Sequence, residues 1–390
     1  MRFCGIPLNT PLFSIEGSLF FFPQRSAKAR AMETKRLSCA SLSLLPTGTH
    51  RESGREGSIS LEEWQGWGST STVPAMVIEV IEDLKLLERT ADADMVFGGK
   101  HGKLQGDFKV HEDKKHRAKY KSLNDSEKKL QFFSARQIAC RLLGSRHYLC
   151  QKCWLAKEDC MCSRLVPFHP WHRIRFWLYM HPKDFLRQNN TGKLLWQVFG
   201  VHAANLCLFG ISENEEMLWN ALKLAGKDKV WCLFPNKNAA TKSVKDSFFQ
   251  NPLDDLDCKT KMANFDDVFH FVLLDGTWSN STAMFSRLKE RAKSIWGEGE
   301  ELPCISLNTG VSLMHRLRPQ PSWDRTCTAA AAIGLLHELH LVPAFDSYEL
   351  DKHADAIEDA LEVLLDALTK RRLRMGRTIT RKGRHGSKII

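Results

Sequence analysis

Val268-Phe-His-Phe-Val-Leu-Leu-Asp-Gly-Thr-Trp278 is an apolar run that ends abruptly in a carboxylate, a glycine, a hydroxyl and an aromatic ring. An apolar run closed by a turn signal reads as a strand buried on both faces. Such strands belong to parallel sheets whose two faces are covered by helices. The same texture repeats outward from it. Upstream, Arg173–Met180 reads as a strand, and Ala204–Phe209 and Lys229–Phe234 are short apolar runs closed by the breakers Gly210 and Pro235. Gly192–Val201 reads as a helix after the N-cap pair Asn190-Thr191. Downstream, the pattern predicts a helix from Ser281, a last strand over Pro303–Leu307 and an alanine-rich helix over Thr328–Leu341. A final helix over about 346–374 has Ala354, Ile357, Ala360, Leu361, Leu364, Leu365 and Leu368 on one face. Strands alternating with helices predict an α/β fold, a mainly parallel sheet with helices on both faces.

The regions outside this alternation have different compositions. Residues 1–60 hold few acids and many Ser, Thr and Arg, and include Leu37-Ser-Cys-Ala-Ser-Leu-Ser-Leu-Leu45. That stretch fits an organelle transit peptide, an unstructured extension, or a leader before a true start at Met32. Residues 61–139 read as a helical and linker region, with one helix over 74–92 and a polar stretch over 98–130. Residues 140–345 form the compact domain, and 346–390 the last helix and a basic tail. The net charge is +11, and nine Lys/Arg with no acid lie between Lys370 and Ile390. The other 47 Lys/Arg nearly balance the 45 acids, so the tail carries the excess. A block of this kind attracts phosphate or serves as a nuclear-import address rather than joining a packed core, or else is a solvated tail with no role. The 43% hydrophobic content supports a substantial core. No segment approaches the ~18 uninterrupted apolar residues that read as a membrane span, so a soluble chain with no membrane partner is expected. Compartment and oligomeric state stay open.

Four of the twelve cysteines sit within thirteen residues, as Cys150-Gln-Lys-Cys153 and Cys160-Met-Cys162. Two closely spaced thiolate pairs can wrap one tetrahedral zinc, and four sulfurs fill its coordination shell. No water can then be activated there, so such a site is structural. A redox pair and an iron–sulfur cluster are the alternatives. Clustering of this kind, with Cys207, Cys232 and Cys304 in apolar runs, fits a reducing compartment.

In open α/β sheets, ligands sit beyond the carboxyl ends of the strands. Three polar segments fall at such ends: His181–Thr191, Asp275–Trp278 and Met314–Thr328. Asp275, at the mouth of a buried strand, is partly desolvated and suited to act as a base, or else it caps the following helix. Trp278 either stacks on a base or packs in the core. Thr326 and Thr328 open a helix whose N-terminus can hold a carboxylate. Arg316 and Arg318 can pair with carboxylate or phosphate, or form surface ion pairs.

Taken together, these pieces resemble the DTW-domain family. The resemblance rests on the Cys150–Cys162 knuckle, on His181-Pro182 with Asn190-Thr191-Gly192, on Asp275-Gly276-Thr277-Trp278, and on the loop from Arg318 into the helix at Thr328. It covers about residues 140–345. One departure is Thr326-Cys-Thr-Ala-Ala, where many relatives read Ser-Thr-x-Glu-Ala, so no role of that glutamate carries over. The resemblance implies a SPOUT-like knotted fold with S-adenosylmethionine in the knot and a structural zinc on Cys150, Cys153, Cys160 and Cys162. It implies transfer of the 3-amino-3-carboxypropyl group to N3 of a tRNA uridine, in the D-loop for eukaryotic relatives, with methylthioadenosine released. Catalytic roles would fall on Asp275, Thr277 and Trp278. Donor binding would fall on His181, Asn190, Thr191, Pro235, Asp275, Gly276, Arg318, Thr326 and Thr328. The same chemistry on ribosomal RNA, and a non-catalytic zinc-bearing RNA-binding protein, are the alternative readings.

Overall fold

The computed structural model describes residues 59–98, 102–234, 243–248, 268–307, 312–317 and 325–379. The candidate transit peptide, Pro235, Arg318, the Arg316 side chain and the tail beyond residue 379 lie outside the described residues.

Two short strands, β1 (Phe97–Gly98) and β2 (Lys103–Leu104), pair antiparallel. The other five are β3 (Ile174–Met180), β4 (Ala204–Leu208), β5 (Val230–Leu233), β6 (Phe269–Asp275) and β7 (Cys304–Ile305). They form one parallel sheet in the order β4-β3-β6-β5-β7. The α/β architecture expected from the alternation is present. The opening run is the central strand β6, which extends one residue further than expected, to Asp275 itself. The last strand is cut to two residues.

The helices are α1 (Leu61–Gly66), α2 (Ala75–Ala91), α3 (Gly106–Ser122), α4 (Ser126–Ser145), α5 (Lys193–Phe199), α6 (Ser212–Ala225), α7 (Val244–Phe248), α8 (Trp278–Trp296), α9 (Thr328–His340) and α10 (Leu350–Arg374). The two-residue period of β3 sends its side chains to two separate cores. Ile174, Phe176, Leu178 and Met180 join the core under α5, α9 and α10. Trp177 and Tyr179 join the core under α6 and α8, beside Leu218, Met284 and Leu288. Both faces of the sheet are therefore covered, which is why its central strands lack the polar alternation of a half-exposed sheet.

The polar stretch 98–130, read as linker or exposed helix, holds α3 and the start of α4, and α3 is exposed along most of its length. Helix α3 buries Phe108, Glu112 and His116 against α4. Glu112 accepts from Arg136 Nη2 at 2.8 Å and lies 2.8 Å from His116 Nδ1. A buried ion pair takes the place of an apolar stripe there, so periodicity could not reveal it. The paired arginine holds the Glu112 carboxyl below its ordinary value despite the opposing burial.

The start of the basic block is also packed rather than free. Arg371, in the last turns of α10, is buried and donates to the Tyr148 hydroxyl at 3.0 Å. Arg374 pairs with Glu158 and Asp159 at 2.8 and 2.7 Å. These contacts fasten α10 to the cysteine knuckle. The apolar face named for this helix is buried at Ala354, Ile357, Ala360, Leu361, Leu364 and Leu368, and Leu365 is partly buried.

Candidate active site and cysteine centre

Strands β3 and β6 are neighbours, and Met180 pairs with Asp275 in register. Their outgoing connections lead opposite ways, to β4 on one side and through α8 to β7 on the other. A crevice opens where such connections diverge. It is filled here by a cavity of about 550 Å³. The wall includes Asn190, Thr191, Asp275, Gly276, Thr277 and Trp278, with Thr326 and Thr328 from the third loop. Three segments far apart in the chain thus meet at the carboxyl ends of the central strands.

Asp275 is the last residue of β6 and only 6% exposed. Its Oδ2 accepts from Asn190 Nδ2 at 2.9 Å. The other end of the Asn190 amide accepts from the Lys193 N–H at 3.0 Å, which anchors it on α5. The N-cap position of α5 falls on Gly192 and not on the expected Asn190-Thr191 pair, but Asn190 still holds the first helical N–H and fixes the carboxylate. Gly192 completes the arrangement, because a Cβ there would land on Asp275 Oδ2, well inside contact distance. The tripeptide Asn190-Thr191-Gly192 thus fits the carboxylate by one donor and by one missing side chain.

Helix α8 starts at Trp278, three residues before the expected Ser281, with Thr277 in the cap position. Asp275 does not occupy that cap. The early start makes Trp278 the first helical residue, and the guanidinium of Arg325 lies over its ring at 4.6 Å to the centroid. Arg325 belongs to the third loop, next to the two threonines, and the sequence reading did not single it out.

The start of α9 is less open than expected. Its Ala329 N–H donates to Thr191 Oγ1 at 3.3 Å, so one donor of the first turn is already engaged by the protein. Thr191 thereby ties the β3 loop to the third loop. No acid lies in the first turn of α9 to neutralise its positive end. The buried Thr326 Oγ1 has no partner among the described residues and lies in the cavity wall.

His181 stands apart from the cavity wall. It follows β3 directly, and its N–H donates to the Asp275 carbonyl at 2.9 Å. Its ring stacks on Phe209 at 5.8 Å and faces Phe133 edge-on at 6.5 Å. Burial holds its pKa down to about 4. The residue braces the strand end, directly behind Gly276 of the cavity wall. His270, on β6, is likewise held at about 4 by burial, and its Nδ1 accepts from Trp177 Nε1 at 2.9 Å. Both rings stay neutral in the fold down to about pH 4, whereas unfolded histidines protonate below about 6.5. Between those values the unfolded chain binds more protons, so stability falls as pH falls. Calorimetry should give a melting temperature that declines from pH 6.5 toward 4. The decline should be shallower in His270→Gln, and an identical pH profile would contradict this origin.

Lys193 is fully buried, and its Nζ donates to the Gln188 carbonyl at 2.7 Å. Burial pushes its pKa down to about 7 against the opposing pull of the cysteines and then of Asp275. It lies between the cavity and the cysteine centre. The apolar surroundings of this position on a helix concealed it from sequence reading. Asp184 and Arg187 form an ion pair on the cavity wall that was also missed.

Cys150, Cys153, Cys160 and Cys162 come together, with all four sulfurs within 4.8 Å of one another. The Cys150–Cys162, Cys153–Cys160 and Cys150–Cys160 separations are 3.7, 3.8 and 3.5 Å. A tetrahedron with ~2.3 Å Zn–S bonds has sulfur–sulfur edges of about 3.8 Å. The four are free thiols, not disulfides. Hydrogen bonding from Cys162 holds the Cys153 thiol down to about 4 despite its burial, and backbone donors of Met161 and Leu155 add to this. The set can hold a zinc ion as a closed, four-sulfur site.

With this geometry in hand, comparison with known families is decisive. The DTW domain family matches residues 147–373, more than half of the chain. The chain belongs to the DTW domain family. Family membership gives it the general class of a tRNA-modifying transferase, with RNA as partner. The DTW match runs past residue 345 to residue 373, so it takes in nearly all of α10. No solved structure matches the chain. Among the described residues no helix is long and apolar enough to cross a membrane. The knot remains an expectation of the family likeness, because parts of the loop into α9, residues 308–311 and 318–324, lie outside the described residues.

Proposed function

We propose that this protein transfers the 3-amino-3-carboxypropyl group of S-adenosylmethionine to N3 of a tRNA uridine, in the D-loop, releasing methylthioadenosine. The observation that carries the reading is a buried, amide-anchored carboxylate on the wall of a cavity that also receives a helix N-terminus with no acid in its first turn. Uracil N3 bears a proton and is a poor nucleophile until it leaves. Asp275 takes that proton, a contribution of about 10²–10⁴-fold. The N3 lone pair then attacks the methylene next to sulfur, and the breaking C–S bond leaves its electrons on the departing thioether. A sulfonium is already an activated leaving group, so no metal or covalent intermediate is needed.

The remaining residues position the partners. Thr326, Thr328 and the start of α9 supply hydroxyls and a positive end for the donor's carboxylate. Holding that carboxylate turns the methylene, and not the methyl, toward the uracil. Trp278 under Arg325 offers a flat, cationic rim on which an unpaired base can stack. Thr277 and Gly276 shape the turn beside Asp275, and Gly276 is closely packed against His181 and Met284. A zinc ion held by the four cysteines would have no open coordination position, so its contribution is to the fold.

The test is incubation of the purified chain with S-adenosylmethionine and unmodified tRNA, followed by nucleoside mass spectrometry. A uridine heavier by the aminocarboxypropyl group is the expected product. A methylated nucleoside, modification of ribosomal RNA alone, or RNA binding with no donor bound in calorimetry would each overturn the reading.

A further inference from the structure

Helices α3 and α4 precede the DTW match, which begins at residue 147. Their polar surface carries more charge than the fold uses. Of the three acids in α3, Asp107 lies in the first turn, and Glu112 and Asp113 are engaged with Arg136 and Arg117. On α2, Asp83 takes both Lys115 and Lys119. Glu127 is held by Arg287, and Asp125 caps α4. That leaves Lys109, Lys114, Lys121 and Lys128 exposed and without an acidic partner among the described residues. Lys114, Arg117 and Lys121, spaced by three and four residues, share the solvent face of α3.

Aromatic rings are interleaved with these cations, and the surface ends at Lys183, next in the chain to Asp184 of the cavity wall. Tyr120 is 41% exposed, with Lys129 Nζ over its ring at 5.9 Å. Four residues further along α4, and so on the same side, lies Phe133. Lys183, exposed in the β3 loop, stands over Phe133 at 5.3 Å. Phe133 in turn abuts His181, whose N–H is bonded to Asp275. Three contacts therefore connect the cationic surface with the main chain at the end of β6, whose last residue is Asp275.

We propose that this α3–α4 surface, from Lys114 through Tyr120, Lys121, Lys128 and Lys129 to Lys183, is the docking platform for the RNA body whose target base enters the cavity. This rests on the RNA-modifying reading above. Unpaired lysines suit phosphates, and half-exposed aromatics between them suit unstacked bases. An acidic protein segment would bring no partner for the rings. Most of the platform is supplied by the helices that precede the DTW match, and Lys183 joins it from within the match, so the platform holds the RNA body while the cavity sets the chemistry.

The experiment measures binding of an unmodified tRNA transcript to the full chain by fluorescence anisotropy at several salt concentrations. In Lys121→Glu/Lys128→Glu/Lys129→Glu, the salt dependence of log K is expected to flatten by about one unit per lost phosphate contact. Calorimetric binding of S-adenosylmethionine should be unchanged, and the corresponding Lys→Gln triple should be intermediate. An unchanged slope and affinity in the Glu triple, with wild-type chain binding tRNA normally, would overturn the platform alone. A wild-type chain that binds no RNA would overturn the RNA reading itself. Loss of donor binding in the triple would mark a folding defect and transfer the decision to the Lys→Gln variant, where unchanged tRNA affinity and slope overturn the platform.

Discussion

Asp275→Asn is expected to bind S-adenosylmethionine and tRNA with wild-type affinity while losing about 10²–10⁴-fold in transfer rate. The substitution keeps the shape of the side chain, and the new amide can still present an oxygen to Asn190 Nδ2, the donor now 2.9 Å from the carboxylate. Gly192 leaves room for either side chain at this contact. What is lost is the ability to accept the uracil proton. Single-turnover assays at saturating donor separate this from a binding defect, because a base acts on the chemical step. A variant that transfers at the wild-type rate would remove Asp275 from the chemistry and leave it as a structural anchor for Asn190. A raised KM with unchanged kcat would mean the same.

Cys153→Ser is expected to release the metal and to lower the melting temperature on the order of 10 °C, a loss of several kcal/mol. A serine hydroxyl stays protonated at neutral pH and is a poor zinc ligand. The effect should be large because much of the molecule leans on the knuckle. Trp154, next to Cys153 and fully buried in a left-handed conformation at φ 57°, packs against Phe185 and Trp196. Arg371 and Arg374 fasten α10 to the same loop through Tyr148, Glu158 and Asp159. Emission spectroscopy for metal content and calorimetry for stability check the two parts of the result. Cys140→Ser, outside the set, should keep its metal. Unchanged metal content in Cys153→Ser would refute a structural ion on these four sulfurs.

The two experiments address different kinds of dependence. The cysteine centre and the cavity share Lys193 as a buried neighbour but no ligand or reacting group. Loss of the metal should therefore lower activity in proportion to unfolding, whereas loss of the carboxylate should lower it in a fully folded protein. A Cys153→Ser chain that stayed folded and lost transfer would require a closer coupling between the centres than the contacts described here provide.

Local sequence determined much of this protein because the relevant physics is local. The run ending at Asp275 had to be a buried strand, since its side chains are apolar on both faces of a two-residue period. Four cysteines in thirteen residues are brought together by chain connectivity alone. Other features were decided only by tertiary structure. Helix α3 shows no apolar stripe because its buried side includes Glu112 and His116, whose partner Arg136 is on another helix. The resemblance assigned His181 to donor binding; the rings of Phe133 and Phe209 against it, at 6.5 and 5.8 Å, come from a helix and a strand end that the chain brings in from elsewhere. Arg325 gained its place over Trp278 when α8 began three residues early. The early basic residues of the tail became buried or ion-paired once α10 met the knuckle. In each of these cases the deciding partner lies far away in sequence, so no local pattern could encode the contact. The sequence by itself determined the strands, the thiolate set and the order of the loops. Only the packed sheet brought Asn190, Gly192 and Asp275 within reach of one another, by setting β3 beside β6 in register.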